Sequence, residues 1–310
     1  MRRPSRPVTL FLLALAIWPS DFTLAQEKPL TRTFAKGSAE RYQVTVTIRV
    51  ETHGISTEKI GEKTYATPFT HEADGQLSWR AARRMTSIKE DGSAVIRETL
   101  DQLQANCGKD ANSEHYDSAL QESVENTCAD WQNPSQMNYE EEKFGLIRGL
   151  PVLTNQLTNA GSPLLMLWIR RAFRPSVVLP KTPIRFGART EHKIFNQADG
   201  AGSPKGQEST EWLEGASDAP SATLHVSQDL KWTDPPQKSS RSDVDGTSAR
   251  QQLFYADSLN TISLLDGSLL RASRSATRET KEILDPVPGL PDAPVFGSKL
   301  TITVTMLRLP

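Results

Sequence analysis

Few of the side chains able to transfer protons, attack carbonyls or hold metals fall at the spacings that such chemistry needs. Ser56-Thr-Glu-Lys59 has the SxxK spacing of serine acyl enzymes, in which the lysine eases removal of the serine proton. The SDN and KTG elements that accompany that motif are missing, and the segment reads as a polar turn after a strand. The five histidines are His53, His71, His115, His192 and His225. Glu114-His115-x-Asp117 and Glu191-His192 set carboxylates beside imidazole, as a metal site or an acid–base pair requires. Neither has a second histidine two or four residues on, so both read as solvated surface. Glu140-Glu-Glu142 reads in the same way, as a solvated turn or helix start. No GxSxG, HExxH, P-loop or EF-hand pattern occurs, and no cofactor or metal is called for.

Two triplets of arginine and one pair of cysteines remain. Arg80, Arg83 and Arg84, and later Arg271, Arg274 and Arg278, put cations on two strand-like hairpins. They suit an anion-binding face, but solvent-facing strand charges that discourage edge pairing explain them without a ligand. Cys107 and Cys128 are the only cysteines, and no CxxC or Cys/His spacing suggests a metal. In an oxidising compartment the expectation is a disulfide closing a loop of about 22 residues, worth roughly 3 kcal/mol.

That compartment is indicated by the first residues. Arg2, Arg3 and Arg6 precede an apolar run from Val8 to Trp18, too short to cross a bilayer as a helix. Pro19-Ser-Asp21 ends the run, and Thr23-Leu-Ala25 offers small residues for cleavage. Residues 1–26 are therefore expected to be a signal peptide, with no cysteine behind it for lipid attachment, and the product to be periplasmic or secreted. Residues 1–26 hold three arginines and one aspartate of the chain's 36 basic and 37 acidic residues, which leaves 33 and 36. That balance gives no electrostatic case for nucleic acid. No later segment is apolar enough to span a membrane.

The elements that must position any site are mostly strands. From Tyr42 to Glu51 apolar and polar residues alternate, so Tyr42, Val44, Val46, Ile48 and Val50 share one face of a half-buried antiparallel strand. Gln76 to Lys89 and Ser93 to Gln102 flank Glu90-Asp-Gly92 as a hairpin, and Arg250 to Leu264 and Leu269 to Ile283 flank Leu265-Asp-Gly-Ser268 likewise. Leu300 to Met306 alternates much as the first strand does. The fold class is mainly β: antiparallel curved sheets or a half-barrel, with two short packing helices. Residues 27–160 form an N-terminal β-rich half with the disulfide loop, and 161–310 a helix plus a C-terminal β-rich half, as two related sheets or one continuous domain.

The first helix follows Ser118, with Tyr116, Leu120, Val124, Cys128 and Trp131 on one stripe. The second opens on Ser162-Pro163 and ends before Pro175, with Arg170, Arg171 and Arg174 at its C-terminal end, where cations suit the helix dipole. Its run Leu164-Leu165-Met166-Leu167-Trp168-Ile169 is more apolar than a one-sided surface helix needs. Core packing explains it; a lid over an apolar groove, with Leu164, Leu165, Leu167, Trp168 and Ile169 as its lining, or contact with a membrane surface would also use it. Gln197 to Gln207 and Thr233 to Gly246 are polar enough to be flexible loops.

Val178-Leu-Pro-Lys-Thr-Pro-Ile-Arg-Phe-Gly187 resembles a Leu-Pro, Pro, Gly signature of uncharacterised secreted bacterial β-proteins, in which a sheet with an Asp-Gly hairpin follows, as Asp266-Gly267 does here. The likeness covers residues 177–309 and implies no activity. A curved antiparallel sheet with a covering helix is also similar in architecture to the lipoprotein-carrier half-barrel of the Gram-negative periplasm, a likeness of shape alone.

These readings lead to an exported, non-catalytic protein that binds an apolar ligand such as a lipid, or an envelope protein. The alternative is an exported hydrolase whose site is assembled only in the fold.

Overall fold

The computed structural model of the chain describes residues 28–61, 63–106, 118–131, 136–149, 163–195, 204–214, 220–238, 247–283 and 295–310. Residues 1–26, Cys107 and the Glu114-His115-x-Asp117 cluster lie outside the described residues, as does the side chain of Cys128.

Eleven antiparallel strands make one open curved sheet in the order β5-β4-β3-β2-β1-β11-β10-β9-β8-β7-β6. β1 (Ala39–Ile60), β2 (Lys63–Ile88), β3 (Ala94–Asn106), β4 (Gln136–Glu141) and β5 (Ile147–Arg148) step outward on one side of the centre. β6 (Arg189–Phe195), β7 (Lys205–Glu214), β8 (Ser221–Lys238), β9 (Thr247–Ser263), β10 (Leu269–Ile283) and β11 (Val295–Leu309) step inward on the other. The helices α1 (Ser118–Trp131) and α2 (Pro163–Ala172) each follow a strand of the N-terminal half.

Of one curved sheet or two, the chain forms one. The two Thr/Val strands pair with each other from Arg41↔Leu309 to His53↔Gly297. They alternate alike because they are neighbours whose side chains share the same cross-strand rows. Val44 stands between Trp79 and Met306, and Val46 between Leu77 and Val304. Those side chains are buried on the inner face, which both helices cover. Leu165, Ile169, Ala172 and Phe173 of α2 and its end join this core, as does Val124 of α1, and Phe173 stacks on Trp79 at 6.0 Å between ring centroids. Full burial of Leu165 and Ile169 stabilises by roughly 1.5–3 kcal/mol each. The outer face carries the hydroxyls, with Ser275 Oγ 3.2 Å from Thr303 Oγ1 and Thr277 Oγ1 3.0 Å from Thr301 Oγ1.

Both hairpins at Gly92 and Gly267 form as expected, with φ of 81° and 66° at the glycines. Three polar stretches are more ordered than their composition suggests. Ser56 to Lys59 is not a turn but continues β1, paired from Ser56↔Thr67 to Lys59↔Thr64. Lys205 to Gln207 belongs to β7 and Thr233 to Lys238 to β8. In each case a neighbouring strand satisfies the backbone, so the ladder holds the segment without apolar side chains.

Candidate functional site

The segment that follows α2 runs across the inner face of the sheet. Two arginines hold it. Arg83 on β2 donates from Nη1 to the Pro175 carbonyl at 2.9 Å. Arg274 on β10 donates from Nη1 to the carbonyls of Arg171, Ala172 and Arg174 at 2.9, 2.9 and 2.8 Å, and from Nη2 to that of Ser176 at 3.0 Å. Its Nε donates to Asn260 Oδ1 at 2.7 Å. These carbonyls close the C-terminal end of α2, where a cation is favoured by the helix dipole.

The expectation that these arginines face solvent is overturned for both. Arg83 is 0% and Arg274 5% exposed. Each continues a row of inward side chains: Leu77, Trp79, Ala81, Arg83, Met85 on β2 and Ala272, Arg274, Ala276 on β10. Arg83 is met by carboxylates. Its Nη1 lies 2.8 Å from Glu40 Oε2, its Nη2 bonds Glu141 Oε2, and its Nε donates to Tyr139 Oη at 2.7 Å. Arg32 completes the cluster, with Nε 3.1 Å from Glu141 Oε1 and Nη2 2.8 Å from Glu40 Oε1. Glu141 is therefore a buried counter-ion and not part of a solvated turn. The burial of Arg83 opposes its charge, but Glu141, Tyr139 and Glu40 outweigh that and hold its pKa well above the ordinary value.

Arg274 has no such partner among the described residues. Burial pulls its pKa down to about 10, and only Tyr42 acts against that. Arg174, also buried, pairs through Nη1 with Glu98 Oε1 at 3.3 Å and through Nη2 with Met137 Sδ at 3.2 Å, while its Nε, itself closed off from solvent, has no hydrogen-bond partner among the described residues.

Beside these two guanidiniums a groove of about 610 Å³ opens between α2 with its following segment and the inner face of β7 to β10. That volume is within the range of pockets that take small ligands. The cause is a change of side-chain size along the cross-strand rows. Val46 and Val304 fill the centre of the sheet, whereas Ala256 and Ser258 on β9 leave room under the helix. Leu167 and Trp168 form the helix wall, Leu146, Val177 and Val178 the rim, and Leu224 and Val226 the floor. Gly145, at φ +77°, lets the rim close, because a Cβ there would lie 1.9 Å from the Val177 carbonyl oxygen.

The expected lining of an apolar groove is thus split by the geometry of the helix. Leu165 and Ile169, four residues apart, turn into the core, while Leu167 and Trp168 line the groove, with Leu167 46% exposed. The side chain of Leu164 lies outside the described residues. Of the other residues considered for chemistry, Glu191 and His192 are exposed on β6, and Lys59 and Ser56 sit on the distal part of β1. The outer face does bring His225 Nε2 to 2.7 Å from Asp257 Oδ1, with Ser227 opposite Asp257 in the ladder. Here β8 has a partner on each side, so its backbone N–H groups are consumed by the ladder and none is free to hold an oxyanion. Sequence reading did not find Leu146, Val177, Leu224 and Val226: the first two stand on connections and the last two on β8, and only the fold brings them together.

Neither a protein-family model nor a curated protein matches the chain. Solved structures similar to it include the type IV competence pilus secretin PilQ of V. cholerae, 9% identical over 91% of this chain and 61% of that one, at a TM-score of 0.15. The secretin domain β-barrel of InvG from the Salmonella SPI-1 injectisome is 11% identical over 89% and 62%, at 0.13. The T2SS secretin XcpQ from Pseudomonas aeruginosa is 8% identical over 90% and 59%, at 0.14. The chain spans about three-fifths of the length of these secretin chains. Superpositions at such TM-scores carry no argument about fold or role.

Proposed function

We propose that the chain is an exported, non-catalytic protein that holds an apolar ligand in the groove between α2 and the inner face of β7 to β10. The observation that carries this reading is the groove itself, walled by Leu146, Leu167, Trp168, Val177, Val178, Leu224 and Val226, with the small side chains of Ala256 and Ser258 beneath the helix. Apolar surface left exposed in a formed concavity is the ordinary mark of a binding site. Its described lining offers the hydroxyls of Ser176, Thr210 and Ser258 and the carboxylate of Glu208, but no histidine to activate a nucleophile. Export is supported by the signal-like residues 1–26. Among the described residues no helix is long and apolar enough to cross a membrane.

The test is titration with N-phenyl-1-naphthylamine, whose fluorescence rises in apolar surroundings, followed by displacement with lipids. Saturable binding with displacement is expected. Absence of both, or steady hydrolysis of short-chain esters by the purified chain, would count against the proposal.

A further inference from the structure

The groove is not uniformly apolar. Its inner end, against β10, is formed by Arg274 and Arg174, and Arg171 stands exposed on the helix wall; the acidic residue of the lining is Glu208, on β7 at the opposite end. Glu208 already accepts a hydrogen bond from Gln228. No carboxylate pairs with Arg274 or Arg171 among the described residues, and the pair of Arg174 with Glu98 leaves Arg174 Nε unused. Among the described residues the guanidinium of Arg274 meets only neutral acceptors, four backbone carbonyls and the Asn260 amide oxygen. Carbonyl dipoles satisfy hydrogen bonds but do not cancel a full charge. A buried cation without a counter-ion is costly, and an anion delivered to it forms bonds about twice as strong as neutral ones.

Resting on the reading of the groove as an apolar site, we propose that its ligand is an anionic amphiphile, with an oxyanion head set against the guanidiniums of Arg174 and Arg274 and an apolar tail along Leu167, Trp168 and Val226. Both guanidiniums are fixed before any ligand arrives, one by Glu98 and Met137, the other by Asn260 and the end of α2. The head therefore meets two cations that are held in place before it binds. A carboxylate and a phosphate monoester present the same chemistry to such donors, as both accept from planar guanidinium N–H groups.

The experiment displaces N-phenyl-1-naphthylamine from the full chain with hexadecanoate, hexadecyl phosphate and hexadecanol, three ligands with one tail and different heads. The two anions are expected to displace the probe at concentrations about tenfold or more below that of hexadecanol. Their order relative to each other identifies the head as a fatty-acid carboxylate or a lipid phosphate. Equal potency of all three would overturn the anionic head while leaving the apolar groove standing. Failure of all three, with no probe bound, would overturn both. In Arg174→Gln the preference for anions is expected to fall at least severalfold. An unchanged preference in that variant would place the head elsewhere and overturn the assignment. The ligand series is read on the unaltered chain, so it decides the matter even if the variant does not fold.

Discussion

Glu40 on β1 and Arg83 on β2 stand directly opposite each other on the inner face, with Oε2 and Nη1 2.8 Å apart. Glu98 on β3 is the next partner of Arg83 in the same cross-strand row. Arg83 therefore sits between carboxylates, under the chain that leaves α2. Replacing it by methionine leaves Glu40, Glu98 and Glu141 short of a cation, and the expected loss is about 3–5 kcal/mol or more. Arg83→Lys should rescue little of it, because one ammonium cannot reach Glu40, Glu141, Tyr139 and the Pro175 carbonyl together. Urea midpoints of the two variants check this; a wild-type midpoint for the lysine variant would refute it.

The same cluster makes stability depend on pH. Burial would raise the pKa of Glu40, but Arg83 and Arg32 outweigh it, and the carboxyl is held below its ordinary value of 4.5. A carboxylate with a lowered folded-state pKa stabilises fully above its unfolded value and loses that contribution as pH falls through the folded one. Stability should therefore be flat near neutrality and fall below about pH 4.5. Glu40→Gln should show lower stability at pH 7 and a shallower fall in acid. Urea unfolding between pH 3 and 7 measures both slopes, and parallel curves would exclude Glu40 as a source.

How much of this was legible in the sequence depends on which force placed each residue. Alternation located Tyr42, Val44, Val46 and Ile48 because hydrophobic burial alone decides their face. The same rule, followed through charged positions, also finds the ion cluster. Arg83 keeps step with Leu77, Trp79, Ala81 and Met85, Glu141 with Met137 and Tyr139, and Arg274 with Ala272 and Ala276. Parity separates Arg83 from Arg80 and Arg84, but a charge on the apolar face reads as solvated until the sheet brings Glu40 and Glu141 to it from other strands. The groove was half legible: the excess apolarity of α2 marked it, but its floor at Leu224 and Val226 faces Leu167 only because β7 to β10 curve under the helix.

Gly145 offers a test of the rim that does not touch the floor. Alanine there must adopt φ near +77° and also displace the Val177 carbonyl, whereas Gly92, at φ +81°, has nothing within 4 Å of a Cβ. Gly92→Ala should cost about 1–2 kcal/mol for conformation alone. Gly145→Ala should cost more, and it should weaken probe binding as Val177 and Val178 move outward. Thermal unfolding and the N-phenyl-1-naphthylamine titration read the two effects; equal losses of stability would show that the contact with Val177 is not tight.

Leu167 and Ile169 separate the two uses of α2 by two positions. Ile169 is fully buried in the main core, so Ile169→Ala should destabilise by about 2–5 kcal/mol. Leu167 is about half exposed and faces the groove, so Leu167→Glu should change stability by no more than about 0.5 kcal/mol. The glutamate would nonetheless put a charge on the apolar wall, across from Val226, and oppose an anionic head as it entered past Arg171. Probe affinity should drop at least tenfold in this variant while the urea midpoint stays in place. Undiminished affinity would mean that the probe sits elsewhere, and a large fall in stability would mean that Leu167 belongs to the core and not to the groove.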